Sequence, residues 1–336
     1  METPATTAPS TIDRPPLVNG ASAREPSFAY TDLRGIGRVD IDDLLDYVHD
    51  SAREFPSYLR LYEKYLKQRW DVTELDFATD ARDWNERMSA EERDTFLKMA
   101  SGFHHGERQV TVCLGPLFMG IPEDYRIFLS SHLEDEARHT IFFDRFYREV
   151  VGMPGDTIMD LLDESYPFVG DGFTGPFGLL AYLTDDLRRN PYDRHLLMQY
   201  AVTYMLWIEG VLALSSMKVT LGFARDRKVL PAYYAGFTAT CRDEARHVQA
   251  GLRFIRELLN DDPGLVRDLH ETMRTLLTFA NTGSMRVDLG VLGWSAEREK
   301  ALRGRQLRKK LNLVGVALPA DVEEMIDEMD PVMAGG

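Results

Sequence analysis

Two copies of one pentapeptide carry the residues of this chain that are best suited to bind metal. Asp-Glu-Ala-Arg-His occurs twice, ending at His139 and at His247. Residues three apart on a helix share a face, so Glu136 and His139 can reach a common target. The same holds for Glu244 and His247. One such spacing is unremarkable in a chain with eight histidines, but the identical repeat favours a metal site over two exposed ion pairs.

Two single carboxylates complete this set. Glu209 interrupts a strongly apolar run, and a charge that is buried alone costs several kcal/mol, so it needs a partner. Glu107 lies in a mixed stretch, and only the number of ligands makes it a candidate. A bundle that binds two metals takes one glutamate from each of two helices and Glu-x-x-His from each of the other two. The chain supplies these ligands in the order Glu, Glu-x-x-His, Glu, Glu-x-x-His.

The donor atoms indicate which metals would bind. The four glutamates would carry four negative charges, which two divalent cations neutralise. Oxygen-rich ligation with two imidazoles and no thiolate suits iron or manganese better than structural zinc. We therefore expect two metal ions, Mn/Fe or Fe/Fe, and the expected ligands are Glu107, Glu136, His139, Glu209, Glu244 and His247.

The elements that must position these ligands are helices. Strand signals are nearly absent, and apolar periodicity predicts four long helices at 89–119, 122–151, 192–224 and 231–260. The first begins at a Ser-x-x-Glu capping box, and the last begins at a proline. Each of the four contributes one part of the ligand set, which predicts an all-α protein built on a four-helix bundle with additional helices.

The two ends of the chain differ from this middle part. Residues 1–28 are rich in Pro, Ser, Thr and Ala, and they predict a disordered tail. Residues 29–315 are expected to form one helical domain that contains the metal site. Residues 316–336 are acidic and are expected to form a C-terminal tail.

Composition argues against several classes of partner. Of the 336 residues, 44% are hydrophobic, which is ordinary for a globular protein. A net charge of −15 repels nucleic acid and anionic membranes, so we expect neither as a partner. No signal-peptide core and no uninterrupted apolar segment of ~20 residues is evident. Cys113 and Cys241 are interpreted as buried thiols, and we expect a cytoplasmic protein.

Four motifs resemble those of the ribonucleotide reductase small-subunit superfamily, over roughly residues 65–260. They are Gly-Glu-Arg-Gln-Val-Thr at Glu107, the two pentapeptides, and Thr-Tyr-Met-Leu-Trp-Ile-Glu-Gly at Glu209. They are most similar to its Mn/Fe ligand-binding oxidase branch. The resemblance implies a ferritin-like fold and O₂ as co-substrate, and we also expect a homodimer.

The resemblance implies roles for four residues outside the ligand set. Trp70 and Asp243 match residues that form hydrogen bonds outward from His139, which would fix the tautomer of its ring. Val110 and Tyr204 match the valine and tyrosine that the branch joins in an oxidative ether cross-link. Val110 lies three residues after the first ligand and shares its face, whereas an α-helix would place Tyr204 about 140° away from the glutamate that follows it by five residues.

Three functions fit such a centre: an oxidase or oxygenase, a ribonucleotide reductase small subunit that exports a radical, and a ferritin-like metal protein without a substrate. The reductase is disfavoured because Phe143 stands at the place of the radical tyrosine. In addition, about a hundred residues without tyrosine follow Tyr234, so a C-terminal radical relay is missing. We expect a two-electron oxidation of a small, partly hydrophobic organic substrate, with an external electron donor as a possible partner. The reductase subunit is the alternative.

Departures from the family pattern leave the substrate open. Arg108 stands where an acidic residue is expected, and Met217 and Lys218 stand where some relatives carry tyrosines. Candidates for the lining of a substrate pocket are His104, His105, Phe142, Trp207 and Ser216.

Overall fold

The computed structural model describes residues 25–282 and 287–330, and all regular structure within these ranges is helical. The α-helices are α1 (Leu33–Ile36), α2 (Ile41–Ala52), α3 (Tyr58–Gln68), α4 (Ala78–Arg82), α5 (Ala90–Cys113), α6 (Leu117–Gly120), α7 (Glu123–Phe146), α8 (Ile158–Ser165), α9 (Asp171–Arg189), α10 (Arg194–Ala201), α11 (Leu214–Arg227), α12 (Pro231–Asp261), α13 (Val266–Thr282), α14 (Ala296–Val314) and α15 (Ala320–Asp327). The π-helical segments are Asp83–Arg87, Tyr147–Val151 and Val202–Ala213, and the short 3₁₀ helices are Ser27–Tyr30, Val72–Glu74, Tyr166–Phe168, Pro263–Leu265 and Leu289–Leu292.

Four long helices form the central bundle. They are α5, α7, α12 and the continuous helix that α10 and α11 make with the π segment between them. Helix α5 packs against α7, and α12 packs against both α7 and the π segment. The predicted all-α bundle is therefore confirmed. The first predicted helix ends earlier, because α5 stops at Cys113 and the short α6 follows as a separate turn.

Helices α5 and α12 begin where side-chain oxygens accept from their free backbone N–H groups. At the start of α5 the Ser89 hydroxyl accepts from the Glu92 N–H at 3.1 Å, and the Glu92 carboxylate accepts from the Ser89 N–H at 2.8 Å, which confirms the capping box. Helix α12 begins at a proline, and the carboxylate of Asp80, from α4, accepts from two N–H groups of its first turn at 2.7 and 2.9 Å. A remote acid thus replaces a local cap.

The continuous helix formed by α10, the π segment and α11 is strongly apolar. By length and composition alone, Arg194–Arg227 could cross a membrane, but 78% of its most apolar window is buried inside the fold. Such burial is what the core helix of a bundle requires.

The two predicted tails lie partly outside the described residues, namely 1–24 and 331–336. Within the described part of 316–336, α15 buries Val322 and Ile326 and packs against α13. This segment therefore contributes to the packed structure. The division of the chain at residues 28 and 315 stays a prediction.

Candidate metal centre

The six expected ligands meet in the middle of the bundle, and each is at most 7% exposed. They come from four elements: one glutamate from α5, a Glu-x-x-His pair from α7, one glutamate from the π segment, and a second pair from α12. In two groups the donor atoms lie within 4.8 Å of one another, and the groups are Glu107, Glu136, His139 and Glu244, and His132, Glu136, Glu209 and His247.

The first group is arranged around Nδ1 of His139. This atom lies 3.4 Å from Oε2 of Glu107, 3.6 Å from Oε2 of Glu136 and 3.7 Å from Oε1 of Glu244. Donor atoms that share one ion at about 2.1 Å lie roughly 3 Å apart. The spacing is therefore close to that of a coordination shell.

The second group is arranged around Nδ1 of His247. This atom lies 3.3 Å from Oε1 of Glu136 and 3.8 Å from Oε1 of Glu209. Oε2 of Glu244, which belongs to the first group, also lies 3.3 Å from it. Glu136 and Glu244 each direct one carboxylate oxygen to either histidine. These two glutamates can therefore bridge two ions.

The polar atoms at this centre fit a pair of cations. Oε2 of Glu136, Nδ1 of His139 and Oε2 of Glu209 are buried and have no hydrogen-bond partner among the described residues, whereas buried polar atoms are nearly always paired. Burial, together with the charge of Glu107, raises the pKa of Glu136 well above its ordinary value. Cations would act as partners for the unpaired buried atoms, and they would neutralise the charge of the buried carboxylates.

Hydrogen bonds outward from the ligands connect the two pentapeptides. Oδ2 of Asp243 lies 3.4 Å from Nε2 of His139 and accepts from the indole N–H of Trp70 at 2.8 Å. The structure thus brings Trp70 and Asp243 together beside His139, and their role in fixing its tautomer stays a prediction. In return, Oδ2 of Asp135 lies 3.1 Å from Nε2 of His247. Sequence reasoning missed this second link, although the repeat itself was a signal for it.

Two buried arginines hold these aspartates in place. Arg246 donates to Asp135 at 2.7 Å, and Arg138 donates to Asp243 at 3.2 Å. Burial alone would raise the pKa of Asp243, but the Arg246 guanidinium and the hydrogen bond to His139 outweigh it and hold that pKa well below its ordinary value. The two aspartates therefore stay ionised and keep each ligand Nδ1 turned toward the metal positions.

The π segment explains the position of Tyr204. A π-helix pairs residues five apart, so Tyr204 and Glu209 lie one turn apart instead of about 140° around the helix. Both contact His132: the Tyr204 hydroxyl lies 3.0 Å from its Nε2, and Oε1 of Glu209 lies 2.9 Å from the same atom. His132 was not among the expected site residues. The available signal was its place four residues before Glu136, on the same helical face.

An open cavity of about 140 Å³ reaches this centre. Val110 and Tyr204 both line it. Of the five candidate lining residues, only Ser216 does so, while His104 is buried near Tyr147. The four glutamates Glu107, Glu136, Glu209 and Glu244 lie at its inner end, and its apolar wall includes Met99, Phe103, Phe173, Phe177, Ile208 and Leu212.

Comparison with known proteins supports the fold. No family model matches the chain. It is similar to the R2-like ligand-binding oxidase from Sulfolobus acidocaldarius, with 22% identity over 80% of this chain and 93% of that one and a TM-score of 0.66. A tyrosine-to-phenylalanine mutant of R2-like ligand-binding oxidase with an aerobically reconstituted Mn/Fe cofactor gives 20% identity, coverage of 82% and 92%, and a TM-score of 0.61. A valine-to-leucine mutant of R2-like ligand-binding oxidase with an anaerobically reconstituted Mn/Fe cofactor gives 22% identity, over 76% of this chain and 92% of that one, and a TM-score of 0.62. With its buried bundle and its repeated Glu-x-x-His pairs, this chain has the ferritin-like fold of the R2-like ligand-binding oxidases.

Proposed function

We propose that this protein is an O₂-activating di-metal oxidase or oxygenase that performs a two-electron oxidation of a small, partly hydrophobic organic molecule. One observation carries the proposal: the glutamates that face the metal positions also line the inner end of an apolar cavity. A molecule in this cavity would contact the metal centre directly. A metal-storage site would have no need for an apolar cavity beside its ligands.

The metal pair of the proposal is Mn/Fe or Fe/Fe. Structures of the related fold include mutants with reconstituted Mn/Fe cofactors. A bound pair of such ions would supply the chemistry of O₂ activation. The residues that would hold it are Glu107, Glu136, His139, Glu209, Glu244 and His247.

The protein's own contribution is orientation and exclusion of water. Asp135 and Asp243 fix the rings of the two ligand histidines, and the buried bundle keeps bulk water from the ligands. The rings of Phe173 and Phe177 stack at 3.9 Å on the cavity wall and offer an apolar surface to the substrate.

Within this proposal, Val110 and Tyr204 are oxidation targets inside the protein. Both line the same cavity as the glutamates, and Tyr204 touches the centre through His132. The cross-link between them is therefore kept as part of the proposed activity.

The alternative is a reductase small subunit. Phe143, at the place of the radical tyrosine, packs within a cluster of aromatic rings and has no group to oxidise reversibly. Mixing the protein with a cognate ribonucleotide reductase large subunit should yield no deoxynucleotide. Efficient formation of deoxynucleotide would replace our proposal by this alternative.

The proposal also includes a cytoplasmic homodimer that has no nucleic-acid or membrane partner and draws electrons from an external donor. The net charge of −15 supports the exclusion of nucleic acid and anionic membranes.

The deciding experiment begins with anaerobic loading of Mn²⁺ and Fe²⁺, followed by a pulse of O₂. We expect close to two metals per chain and a rapid uptake of O₂ by the loaded protein. Mass spectrometry of molecules extracted from the cavity before and after the pulse would identify the substrate class. A well-folded protein that takes up no metal would refute the proposal.

A further inference from the structure

His132 is fully buried on α7, one turn before Glu136. Its Nε2 lies 2.9 Å from Oε1 of Glu209, 3.0 Å from Oε1 of Glu136 and 3.0 Å from the Tyr204 hydroxyl. Three oxygen atoms therefore surround one ring nitrogen.

The ring of His132 also stacks on that of His247, with centroids 3.5 Å apart and an interplanar angle of 13°. Nδ1 of His247 approaches the same carboxylate oxygens of Glu136 and Glu209 as Nε2 of His132 does, at 3.3 and 3.8 Å. The two nitrogens and two oxygens all lie within 4.8 Å of one another. Roughly 3 Å separates neighbouring donor atoms on one ion, so His132 occupies the position of a ligand.

Hydrogen bonding alone does not account for this arrangement. A ring nitrogen of neutral imidazole either donates one hydrogen or offers one lone pair. It can therefore pair with one of its three oxygen neighbours, and the two carboxylates would remain partly unsatisfied in a buried site. A cation placed between these atoms satisfies all of them.

We propose that His132 is a seventh protein ligand of the metal pair, bound through Nε2 at the position shared by Glu209 and His247. This inference rests on the proposed function, because it assumes that the centre holds two metals. The two metal positions would then be unequal: one has a single imidazole, from His139, and the other has two.

His132 differs from the other two ligand histidines in the contacts of the ring nitrogen that points away from the metal positions. His139 and His247 each face an aspartate through Nε2, whereas Nδ1 of His132 has no hydrogen-bond partner among the described residues. A ligand histidine that is not anchored in this way binds its metal less tightly. We therefore expect His132 to be the most easily displaced of the three imidazoles.

The test is an anaerobic titration of the full-length metal-free protein with Co²⁺, in competition with a chelator. Wild type should bind two ions, and His132→Gln and His132→Ala should weaken the binding of one ion by roughly tenfold to a hundredfold. His132→Gln separates metal ligation from hydrogen bonding better than His132→Ala does, because the glutamine amide can still donate a hydrogen bond to Glu209. Tyr204→Phe removes the hydroxyl contact but not the imidazole, so it should bind both ions with affinity near that of wild type.

His104→Ala is the matched control for lost volume. His104 is also buried, and neither of its ring nitrogens has a partner among the described residues, but it belongs to neither donor group. This variant should bind both ions as wild type does. Circular dichroism of the metal-free proteins checks that each variant folds, and if His132→Ala does not, the glutamine variant carries the test.

A second readout counts the nitrogens directly. Pulsed EPR of protein labelled with ¹⁵N-histidine should show three coupled histidine nitrogens in wild type and two in His132→Gln. Unchanged affinity and unchanged couplings in His132→Gln would overturn this inference but leave the di-metal proposal intact. A folded wild type that binds no metal would instead overturn the proposed function.

Discussion

Asp135 lies 3.1 Å from Nε2 of His247, although the two residues belong to different copies of the pentapeptide. Asp243 makes the reciprocal contact with His139 at 3.4 Å. Each copy thus orients the histidine of the other. Metal ligation and the packing of α7 on α12 therefore depend on the same buried contacts.

Asp135→Asn should weaken both metal binding and stability. Loss of the charge leaves the guanidinium of Arg246 incompletely paired, which costs about 3–5 kcal/mol of unfolding free energy. It also weakens the hydrogen bond to His247, for which we expect a 10–100-fold loss of metal affinity. Chemical denaturation and metal titration measure the two effects. Asp163→Asn, at an exposed position of α8, is the control. Equal stability of the two variants would contradict the role of Asp135.

Removal of individual ligands should lower the number of bound metal ions to different extents. Glu136 belongs to both donor groups, so Glu136→Ala should lose both ions, whereas Glu209→Ala should retain one. His247→Ala should lose at least one ion, because the second group is arranged around its Nδ1. Elemental analysis after anaerobic loading measures the ratio. If Glu136→Ala still bound two ions, the assignment of a bridging ligand would be wrong.

Reconstitution with metal and O₂ should join Val110 to Tyr204. Both line the cavity beside the ligands. The C–H bond at Cβ of Val110 and the O–H bond of Tyr204 break, a C–O bond forms, and O₂ accepts the two electrons and two protons. The two tryptic peptides should then appear as one species that is lighter than their sum by two hydrogen atoms.

Tyr204→Phe is the control for the cross-link, because it removes the phenol oxygen and leaves every glutamate ligand in place. It should abolish the joined species and retain the metals. Separate peptides after complete O₂ turnover in wild type would rule out the cross-link. O₂ activated at the metal centre would then oxidise an external substrate instead of Val110 and Tyr204.

Lys310 should make stability depend on pH. Its side chain is 1% exposed, and burial lowers its pKa from 10.5 to about 7. Between pH 7 and 10.5 the unfolded chain binds a proton that the folded chain has released, so the free energy of unfolding increases with pH. Lys310→Met should be more stable than wild type at pH 7, and the difference should shrink by about 2 kcal/mol at pH 9.

Denaturation of both proteins at several pH values measures this difference. Lys300→Met, on the same helix α14 but only partly buried, should show no such trend relative to wild type. A difference between wild type and Lys310→Met that stays constant from pH 7 to pH 9 would contradict the lowered pKa.

The sequence by itself determined the four helices and the two Glu-x-x-His pairs, because both depend on local periodicity. A Glu-x-x-His pair shares a face on any α-helix, and the predicted bundle helices agree with the structure to within a few residues, except where α5 ends at Cys113. The repeat of the pair marked four of the six candidate ligands without knowledge of how the helices pack, whereas Glu107 and Glu209 completed the set that a two-metal bundle requires.

Tertiary structure decided the contacts between helices and the departures from regular geometry. The position equivalent to His132 in the second pentapeptide helix is Thr240, so the repeat gave no sign of a further histidine. Helix packing determines which histidine Asp135 faces. Tyr204 lies on the same side of its helix as Glu209 only because the segment between them is π-helical. Such a segment is locally unfavourable and persists where surrounding contacts support it, which is information that a local pattern does not contain.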